Sequence, residues 1–329
     1  MHILIIGAAG MIGRKLAAQL LGHGRLGQAG IERLTLADIV APTVPQRFNG
    51  KADCMAVDLA HPDTATQLVA GRPDVIFHLA AIVSGEAEAD FEKGYAINLD
   101  GTRHLLEAIR LAHAQDAYRP RLVFTSSIAA FGAPFPEAID DQFLTAPLTS
   151  YGTQKAVGEL LLSDYTRKGF LDGIGIRLPT ICIRPGKPNL AASGFFSNIL
   201  REPLAGQDAI LPVSPDVRHW FASPRAAVGF LLHAGAMDLT ALGARRSLNM
   251  PGLSATVAEE IEALKRVAGE QAARRIHAQP DETIMRIVAG WPRNFDPQRA
   301  LALGFRADAS FDEIIRNHID DELGGTIGA

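Results

Sequence analysis

The stretch that decides the fold is Gly7-Ala8-Ala9-Gly10-Met11-Ile12-Gly13, which directly follows the apolar run His2–Ile6. Apolar residues at helical spacing continue through Met11–Leu21, so the glycines stand between a predicted strand and a predicted helix. Glycines at such a turn let a pyrophosphate approach the main chain, and the helix N-terminus adds partial positive charge. The pattern predicts a dinucleotide site. A packing turn is the alternative, because the G-x-x-G-x-x-G spacing differs from the commoner G-x-G-x-x-G.

The first half of the chain alternates short, wholly apolar runs with helical patterns, which is typical of βαβ units whose parallel strands are covered on both faces. After about Pro179, prolines and glycines become dense and helical patterns return. We expect an α/β protein: a Rossmann-type doubly wound parallel sheet in residues 1–180 and a smaller, mostly helical substrate lobe in residues 181–329. The boundary is soft, and the chain is expected to interleave between the lobes. The predicted strands are His2–Ile6, Leu34–Ala37, Cys54–Val57, Val75–Leu79, Leu122–Thr125 and Gly175–Leu178, and the longer predicted helices are Phe91–Ala114, Ser150–Arg167, Pro224–Ala236, Val257–Val267 and Asp312–Ile319.

Composition excludes several classes of protein. The chain has 329 residues, of which 47% are hydrophobic and 21% charged, and this excludes a disordered chain. A net charge of −4 gives no basic field for nucleic acid, and no apolar run approaches the roughly 18–20 residues that cross a bilayer. Two cysteines are too few for a disulfide framework or a zinc cluster. We expect a cytoplasmic protein with no metal, no membrane partner and no nucleic-acid partner.

A carboxylate ends the second predicted strand. Asp38 follows Leu34–Ala37 and stands 25 residues after Gly13, where it can accept both hydroxyls of a cofactor ribose and would repel a 2′-phosphate. No Lys or Arg stands among the next four residues, so we expect NAD rather than NADP. Asp58 and Leu59 end the third predicted strand and could meet the adenine. An equal alternative is that Asp58 caps the following helix.

Tyr151 and Lys155 stand four residues apart at the start of a predicted helix, so their side chains lie on one face. Thr125-Ser126-Ser127 ends a strand about 25 residues upstream, and ligands of parallel sheets bind beyond the carboxyl ends of strands. A tyrosine with its ordinary pKa near 10 is a poor base, but a neighbouring lysine cation favours the phenolate. The pattern predicts alcohol oxidation in which Tyr151 takes the hydroxyl proton, Lys155 also holds the cofactor ribose, and Ser127 binds the substrate oxygen. An exposed helical contact and a turn serine are the alternatives.

With these motifs, His78-Leu79-Ala80-Ala81 and Asn98-x-x-Gly101-Thr102 resemble the extended short-chain dehydrogenase/reductase family over nearly the whole chain. The resemblance selects Ser127 as the catalytic hydroxyl and implies that His78 is structural. It also implies that Asn98 steadies the helix beside the nicotinamide. The cofactor residues predicted from spacing and resemblance together are Gly7, Gly10, Met11, Ile12, Gly13, Asp38, Asp58, Leu59, Leu79, Ala80, Ala81, Asn98, Thr125, Tyr151, Lys155 and Pro179.

Other segments resemble one subgroup of this family, which oxidises a four-carbon sugar acid at its 2-hydroxyl with NAD. Arg177-Leu178-Pro179-Thr180 and Gly290-Trp291-Pro292 are among them. Nucleotide-sugar enzymes of the family carry Arg-Asp-Phe/Tyr-Ile/Val-His-Val-x-Asp where this chain reads Arg218-His219-Trp220-Phe221-Ala222-Ser223-Pro224-Arg225, so only the arginine is retained. The predicted substrate residues are Ser84, Ser127, Tyr151, Thr180, Lys187, Asn189 and Arg218.

A small polyhydroxy acid needs a cation for its carboxylate, and Arg218 or Lys187 could supply it. The alternatives are a surface ion pair for Arg218, a solvated loop charge for Lys187 and a turn role for Ser84. Two other functions also stay open, a nucleotide-sugar epimerase or dehydratase of the same fold and a non-catalytic NAD-binding sensor. The resemblance further implies a homodimer formed through the helices Phe91–Ala114 and Ser150–Arg167.

Overall fold

The computed structural model describes residues 1–44, 50–186 and 192–328. The strands in these ranges are β1 (His2–Ile6), β2 (Arg25–Leu26), β3 (Ala29–Gly30), β4 (Arg33–Asp38), β5 (Lys51–Ala56), β6 (Val75–His78), β7 (Arg121–Ser127), β8 (Asp172–Leu178), β9 (Thr180–Ile181), β10 (Ala209–Leu211), β11 (Arg218–Ala222), β12 (Ser247–Asn249), β13 (Leu253–Thr256) and β14 (Ile276–Ala278). The α-helices are α1 (Met11–His23), α2 (Pro62–Ala70), α3 (Ser84–Ala89), α4 (Phe91–Gly94), α5 (Gly101–Gln115), α6 (Ser150–Arg167), α7 (Gly194–Leu204), α8 (Pro224–Ala236), α9 (Val257–Ala268), α10 (Glu270–Ala273), α11 (Glu282–Ala289), α12 (Gln298–Ala302) and α13 (Phe311–Glu322).

The chain is divided between two compact units, each assembled from three separate segments. The first unit comprises Met1–Ala130, Thr149–Arg177 and Val228–Asn249. The second unit comprises Phe131–Leu148, Leu178–Ala227 and Met250–Ala329. The chain therefore passes from one unit to the other several times rather than once.

The first unit is built on a sheet of seven parallel strands in the order β12-β8-β7-β6-β1-β4-β5. Strand β1 pairs with β4 on one side and β6 on the other, so Ile6 lies beside both Ala37 and His78. The chain order of the strands reverses here, and doubly wound sheets bind ligands beyond the carboxyl ends of the strands at such a reversal. The predicted doubly wound α/β fold is confirmed.

Strand β1 shows why this sheet is covered on both faces. Its residues Ile3, Leu4 and Ile5 are fully buried, although successive side chains of a strand point to opposite faces. Leu4 belongs to the same apolar cluster as Leu105 and Ile109 of α5. Each such side chain contributes roughly 1.5–3 kcal/mol when fully buried, so the apolar run of the sequence stabilises the centre of the sheet.

The second unit contains two small sheets beside its helices. Strand β11 pairs in parallel with β9 and antiparallel with β13, and β10 pairs in parallel with β14. Its apolar core includes Phe196 of α7, Leu264 of α9 and Ile315 of α13. The helical character expected for this lobe is present. These strands were not predicted because they are only two to five residues long and carry too little periodicity.

Glu260 is a fully buried carboxyl group on α9, on the helix face that also carries the buried Val257 and Leu264. Neither carboxyl oxygen has a hydrogen-bond partner within the described ranges. Burial raises the pKa of this group well above its ordinary value, because desolvation disfavours the charged form. Glu260 therefore stays protonated in the folded protein over a pH range in which the unfolded chain ionises it.

The Glu260→Met variant is expected to be more stable than wild type, with a free energy of unfolding about 1–3 kcal/mol higher at pH 8. The unfolded chain releases this proton around pH 4.5, whereas the folded chain releases it only at higher pH, so folding stability falls as the pH rises above 4.5. Glu260→Gln should remove this pH dependence as well, but it should lack the additional stability that apolar packing gives Glu260→Met. Urea denaturation of the three proteins at pH 5 and pH 8 measures both effects. A pH response that is equal in wild type and Glu260→Gln would contradict the assignment.

Candidate active site

Gly7 and Gly13 bring main-chain segments together between β1 and α1. Gly7 has a φ of +91°, and a Cβ there would lie 2.6 Å from the backbone nitrogen of Ala80. A Cβ on Gly13 would lie 2.2 Å from the carbonyl oxygen of Gly7, which also accepts a hydrogen bond from Gly10 N at 3.3 Å. Side chains are therefore excluded at both positions, and the turn presents its main chain.

The N-terminus of α1 fits the phosphates of a dinucleotide. Within the part of the chain that the structure describes, no side chain caps this helix, and its first turn holds no acidic residue. The first N–H groups of a helix have no intrahelical partner, and the helix dipole favours an anion at this end. Met11 and Ile12, both half-buried, carry such N–H groups. The glycine cradle and the uncapped helix end together can hold a pyrophosphate.

Asp38 connects the end of β4 to the glycine loop. Its Oδ2 accepts a hydrogen bond from Ala9 N at 2.8 Å, and its Oδ1 accepts one from Ile39 N at 2.7 Å. The apolar residues that follow, Ile39 and Val40, are 65% and 66% exposed. Each carboxylate oxygen has lone pairs left for ribose hydroxyls, and these neighbours offer no cation for a 2′-phosphate. The preference for NAD predicted from the sequence fits this geometry.

Asp38→Ala is expected to raise the Kd for NAD by about 10–100-fold, because hydrogen bonds to a charged group contribute roughly 1.5–3 kcal/mol. The Kd for NADP should change much less, since its 2′-phosphate gains nothing from the carboxylate. Calorimetric titration of both cofactors measures the change. Asp63→Ala on the exposed start of α2 is the control and should bind as wild type. Equal affinity of the wild type for NAD and NADP would overturn the assignment.

Asp58 and Leu59 lie between β5 and α2. The Oδ1 of Asp58 accepts a hydrogen bond from Ala60 N at 2.9 Å, and the N-cap of α2 is His61. The alternative that Asp58 caps the following helix is therefore wrong, because the helix begins at Pro62, four residues further on. Leu59 is 6% exposed and packs against Gly101 at the start of α5, so its side chain serves the core.

The end of β6 and the residues that follow it contact β1 and α5. Leu79 N and Ala80 N both donate hydrogen bonds to the carbonyl oxygen of Ile6. His78 is buried, with its Nε2 2.9 Å from Thr102 Oγ1 of α5. Burial lowers the pKa of His78 to about 3, with a smaller contribution from the Lys155 charge. His78 is a neutral group in the interior, which fits the structural role that the resemblance implies.

Asn98 connects this segment to α6. Its Oδ1 accepts a hydrogen bond from Ile82 N at 2.9 Å, and its Nδ2 donates to Ile82 O at 3.2 Å and to Gln154 Oε1 at 2.7 Å. The side chain is 1% exposed, so these bonds occupy most of its polar capacity. Asn98 therefore positions the loop after Ala81, and its contact with a cofactor stays a prediction.

Ser127, Tyr151 and Lys155 all lie in the first unit. Thr149 caps α6 with its side chain, which places Tyr151 and Lys155 on the first two turns of the helix. The Nζ of Lys155 lies 5.7 Å from the centre of the Tyr151 ring, as the i,i+4 spacing predicted. Ser127 is the last residue of β7 and is half-buried, and its Oγ accepts a hydrogen bond from Ala129 N at 3.1 Å.

Lys155 is 2% exposed, and its Nζ donates a hydrogen bond to Thr125 O at 2.9 Å, which fixes the ammonium group at the end of β7. Burial lowers the pKa of Lys155 to about 8, and the nearby Glu159 carboxylate opposes this shift. The charge is thus present at neutral pH but depends on its surroundings. A cation held beside the Tyr151 ring favours the phenolate form that accepts a proton.

A buried ion pair behind Lys155 was not predicted from the sequence. Glu159 is 5% exposed and accepts hydrogen bonds from Arg177 Nε at 2.9 Å and Nη2 at 2.7 Å. It also accepts a bond from Ser126 Oγ, and Arg177 Nη1 donates to Asn249 Oδ1 at 3.0 Å. The signal available in the sequence was a glutamate four residues after Lys155 on the same helix face.

The residues predicted to bind substrate fall in both units. Ser84 is the half-buried first residue of α3 in the first unit. Thr180, also half-buried, follows the buried Pro179 in the second unit. Their roles toward a ligand stay predictions. Two other candidates lie outside the described residues: Lys187 and Asn189.

Arg218, at the start of β11, forms an ion pair with Glu259, its Nη2 lying 3.2 Å from Oε2. Its Nη1 also donates a hydrogen bond to Ser254 O at 3.0 Å. The Arg218 side chain is 40% exposed, so the surface ion pair that the sequence left as an alternative is present. The binding of a substrate carboxylate by this guanidinium stays a prediction.

Arg218→Met is expected to lower kcat/KM for an acid substrate by about 2–4 kcal/mol, or roughly 30–1000-fold, because it removes one partner of a charged hydrogen-bonded pair. NAD affinity should be unchanged, and Arg218→Lys should restore activity only in part, since an ammonium lacks the planar fork. Arg225→Met, which breaks an ion pair with Asp321, is the control. Steady-state kinetics measure these effects. An unchanged kcat/KM in Arg218→Met would mean that another cation binds the substrate carboxylate.

Within the described ranges, no helix has both the length and the apolar character needed to cross a bilayer. The same ranges hold no group of three or more His, Cys, Asp or Glu side chains arranged to bind a metal ion. Cys54, exposed, and Cys182, buried, are free thiols.

The sheet, the glycine loop and the Tyr151–Lys155 pair define an enzyme that binds a dinucleotide. The sequence profile of the NAD dependent epimerase/dehydratase family matches residues 3–221, and the chain belongs to this family. The resemblance predicted from the motifs is confirmed, and NAD is the cofactor.

Individual relatives are similar to the chain over its full length. The D-erythronate dehydrogenase of Cupriavidus necator is 47% identical over 98% of both chains, and that of Haemophilus influenzae is 43% identical over 98% of this chain and 100% of its own. The subgroup indicated by the sequence is this one, and the prediction of an NAD-dependent dehydrogenase acting on a CH–OH group is confirmed. A crystal structure titled as the nucleoside-diphosphate-sugar epimerase from Agrobacterium tumefaciens is 64% identical with a TM-score of 0.97, covering 99% of this chain and 95% of its own.

Proposed function

We propose that this protein oxidises D-erythronate at its 2-hydroxyl to 2-dehydro-D-erythronate with NAD. The choice of substrate is supported by the identity of 43–47%, over 98% of this chain, to two D-erythronate dehydrogenases. The buried Lys155, held at the end of β7 beside the Tyr151 ring, supports the chemistry. This constellation suits the removal of a hydroxyl proton from a small alcohol.

The residues of this chain divide the reaction into separate tasks. NAD, when bound, would supply the acceptor for the hydride of the carbon that bears the hydroxyl group. Tyr151 takes the proton of that hydroxyl, and the Lys155 cation favours the phenolate that receives it. Ser127 donates a hydrogen bond to the substrate oxygen and holds it in line with the tyrosine. A positioned base of this kind contributes about 10²–10⁴-fold in rate.

We propose that the cofactor and the substrate are bound by the residues predicted from the sequence. The glycine loop with Met11 and Ile12 would hold the pyrophosphate, Asp38 the adenine-side ribose, and Lys155 the nicotinamide ribose. For the acid, Arg218 would bind the carboxylate. Lys187 is the alternative cation for that carboxylate. The remaining candidates would serve the substrate hydroxyls: Ser84, Thr180 and Asn189. The first unit would then be the NAD-binding domain, centred on residues 1–180, and the second the substrate lobe, centred on 181–329.

The name carried by the Agrobacterium protein favours a second candidate, a nucleotide-sugar epimerase. The second unit has an open cavity of about 630 Å³ whose described lining includes Asn198, Gln279, Asp281 and Glu282. Two of these are carboxylates, and no Lys or Arg stands among the described lining residues. An acidic wall would repel a diphosphate and a sugar-acid carboxylate alike, so this cavity does not distinguish the two candidates. The dehydrogenase is favoured by the identity of 43–47% to two D-erythronate dehydrogenases.

The two candidates and the non-catalytic sensor separate in one assay. Purified protein is incubated with NAD and D-erythronate, L-threonate or UDP-glucose, and absorbance at 340 nm is recorded. A dehydrogenase accumulates NADH in proportion to the acid consumed. An epimerase converts UDP-glucose with no net NADH, and a sensor binds NAD without turnover. Steady NADH formation with D-erythronate is the expected result, and its absence with every acid would overturn the proposal.

We propose further that the protein is a cytoplasmic homodimer. Helices α5 and α6 pack side by side and leave Leu111 and Leu160 47% and 69% exposed. Apolar side chains on neighbouring helices suit a symmetric interface, in which the same patch meets itself. Light scattering should give a dimer for the wild type and a monomer for Leu160→Glu, and a monomeric wild type would overturn the proposal. The two free cysteines fit a reducing compartment.

A further inference from the structure

His219 and Thr180 form a hydrogen-bonded pair in the second unit, and the proposed function gives His219 no role. Thr180 lies in β9, His219 lies in β11, and the two strands run parallel with Phe221 beside Thr180. The Oγ1 of Thr180 lies 2.7 Å from Nε2 of His219. The other ring nitrogen of His219, Nδ1, lies 2.9 Å from the carbonyl oxygen of Pro292.

The partners of His219 determine which of its nitrogens carries the proton. The Pro292 carbonyl can only accept a hydrogen bond, so Nδ1 must be the donor. His219 is 2% exposed, and burial lowers its pKa to about 4 although the Pro292 bond opposes this shift. The ring is therefore neutral near pH 7, and Nε2 carries a lone pair. It follows that Thr180 donates its hydroxyl proton to Nε2.

Aromatic side chains fix the ring in this orientation. Phe196 stacks on His219 with ring centroids 5.2 Å apart and planes 1° from parallel. Phe221 meets it edge-on at 5.4 Å, and Trp291 lies at 5.3 Å. A ring held among three aromatic groups cannot flip without displacing them, so the exchange of Nδ1 and Nε2 is disfavoured.

The direction of this hydrogen bond sets what Thr180 can offer a ligand. A threonine hydroxyl has one proton and two lone pairs, and here the proton is committed to His219. The Oγ1 atom can therefore accept a further hydrogen bond but cannot donate one. It would attract a ligand hydroxyl and repel a carboxylate or phosphate oxygen, both of which offer only lone pairs.

We propose that Thr180, with its proton fixed by His219, is a hydroxyl-selective subsite for a non-reacting hydroxyl group of the sugar acid. The proposal rests on the proposed function, which supplies a polyhydroxy acid as the ligand. Thr180 is a binding residue in this scheme, and His219 is a positioning residue that acts through it. The pair would favour the orientation of the acid that keeps its carboxylate away from Thr180. Thr180 is half-buried, so part of the residue is open to such contact.

The tautomer can be tested without any substrate. Selective ¹⁵N labelling of the ten histidines and a long-range ¹H–¹⁵N spectrum at pH 7 report which ring nitrogen is protonated. The His219 signals are identified by their loss in His219→Phe. The expected pattern is a protonated Nδ1 and an unprotonated Nε2. A protonated Nε2 would overturn the proposal, because Thr180 would then be free to donate.

The selectivity is tested with D-erythronate and two analogues that each lack one non-reacting hydroxyl, 2,4-dihydroxybutyrate and 2,3-dihydroxybutyrate. For wild type, kcat/KM with D-erythronate should be about 10–100-fold higher than with the analogue that lacks the hydroxyl bound by Thr180. The difference should arise mainly from KM. Thr180→Val should reduce this ratio to within about threefold, whereas Thr180→Ser should preserve it. His219→Phe keeps an aromatic ring but frees the Thr180 hydroxyl to rotate and to donate, so its ratio should fall only in part. Thr326→Val, at an exposed position, is the control.

The outcomes separate the two proposals. If the wild type forms no NADH with any of the three acids, the proposed function fails and the substrate part of this inference fails with it. If the wild type oxidises D-erythronate but Thr180→Val keeps the full preference over both analogues, only this inference fails. A ratio that collapses equally in Thr180→Ser and Thr180→Val would also overturn it, because the serine hydroxyl can bond to His219 in the same way.

Discussion

Tyr151→Phe is expected to lower kcat with D-erythronate by about 10²–10⁴-fold while the Kd for NAD changes less than about twofold. The substitution removes only the phenolic oxygen and leaves the ring that lies 5.7 Å from the Lys155 ammonium. Hydride transfer from an alcohol cannot proceed unless the hydroxyl proton also leaves, so the loss should appear in the chemical step. Single-turnover formation of NADH at 340 nm measures that step, and calorimetry measures cofactor affinity.

Helix α6 offers a matched control for this substitution. Tyr165 lies on the same helix and is half-buried, and its hydroxyl donates to Glu107 Oε2 at 3.2 Å. Tyr165→Phe also removes one phenolic oxygen and one hydrogen bond, but it should leave kcat within about twofold of wild type. Near-normal turnover in Tyr151→Phe, or an equal loss in both variants, would remove Tyr151 from its proposed role as base.

Much of the first unit could be predicted because its elements obey strong local rules. The run His2–Ile6 and the helix Ser150–Arg167 have the predicted bounds, and Gly7 and Gly13 occupy positions where a side chain would collide with main chain. Apolar runs that end in glycine, aspartate or serine mark the carboxyl ends of parallel strands, where ligands bind. The residues that stand at these ends can therefore be predicted before the structure is known.

Pairings between distant segments were harder to predict. Strand β12 has three residues and joins the sheet beside β8, about 70 residues earlier in the chain, with Leu248 opposite Ile176. The ion pair of Arg218 with Glu259 spans 41 residues and depends on how β11 meets the start of α9. Neither contact has a local periodic signal, because each is decided by tertiary packing. The hydrogen bond of His219 to Pro292 belongs to the same class.

The largest stability effect is expected at the buried pair Glu159–Arg177. Arg177→Met should lower the free energy of unfolding by about 3–5 kcal/mol, because it leaves the Glu159 carboxylate in the interior without its two-pronged partner. The two side chains are only 6% and 12% exposed, so water cannot replace the lost bonds. Urea denaturation of the purified variant measures the loss, with the slope checked for unchanged two-state behaviour.

An exposed pair on the same helix is the control. Arg167 and Asp164 lie at the end of α6, 69% and 58% exposed, with Nη2 2.7 Å from Oδ1. Arg167→Met removes the same kind of contact, but it should cost less than about 1 kcal/mol because water solvates both partners. If Arg177→Met and Arg167→Met lower the free energy of unfolding equally, burial does not make the Glu159–Arg177 pair more important for stability than an exposed pair.

The double variant Glu159→Met with Arg177→Met separates the value of the pair from the cost of an orphaned charge. If the single loss in Arg177→Met reflects an uncompensated carboxylate, removing that carboxylate as well should recover about 2 kcal/mol or more. Ser126 Oγ would lose its acceptor in the double variant, so recovery should be incomplete. A double variant as unstable as the sum of both single variants would mean that the two residues act independently, and the buried pair would then not be the unit that holds α6 against β8.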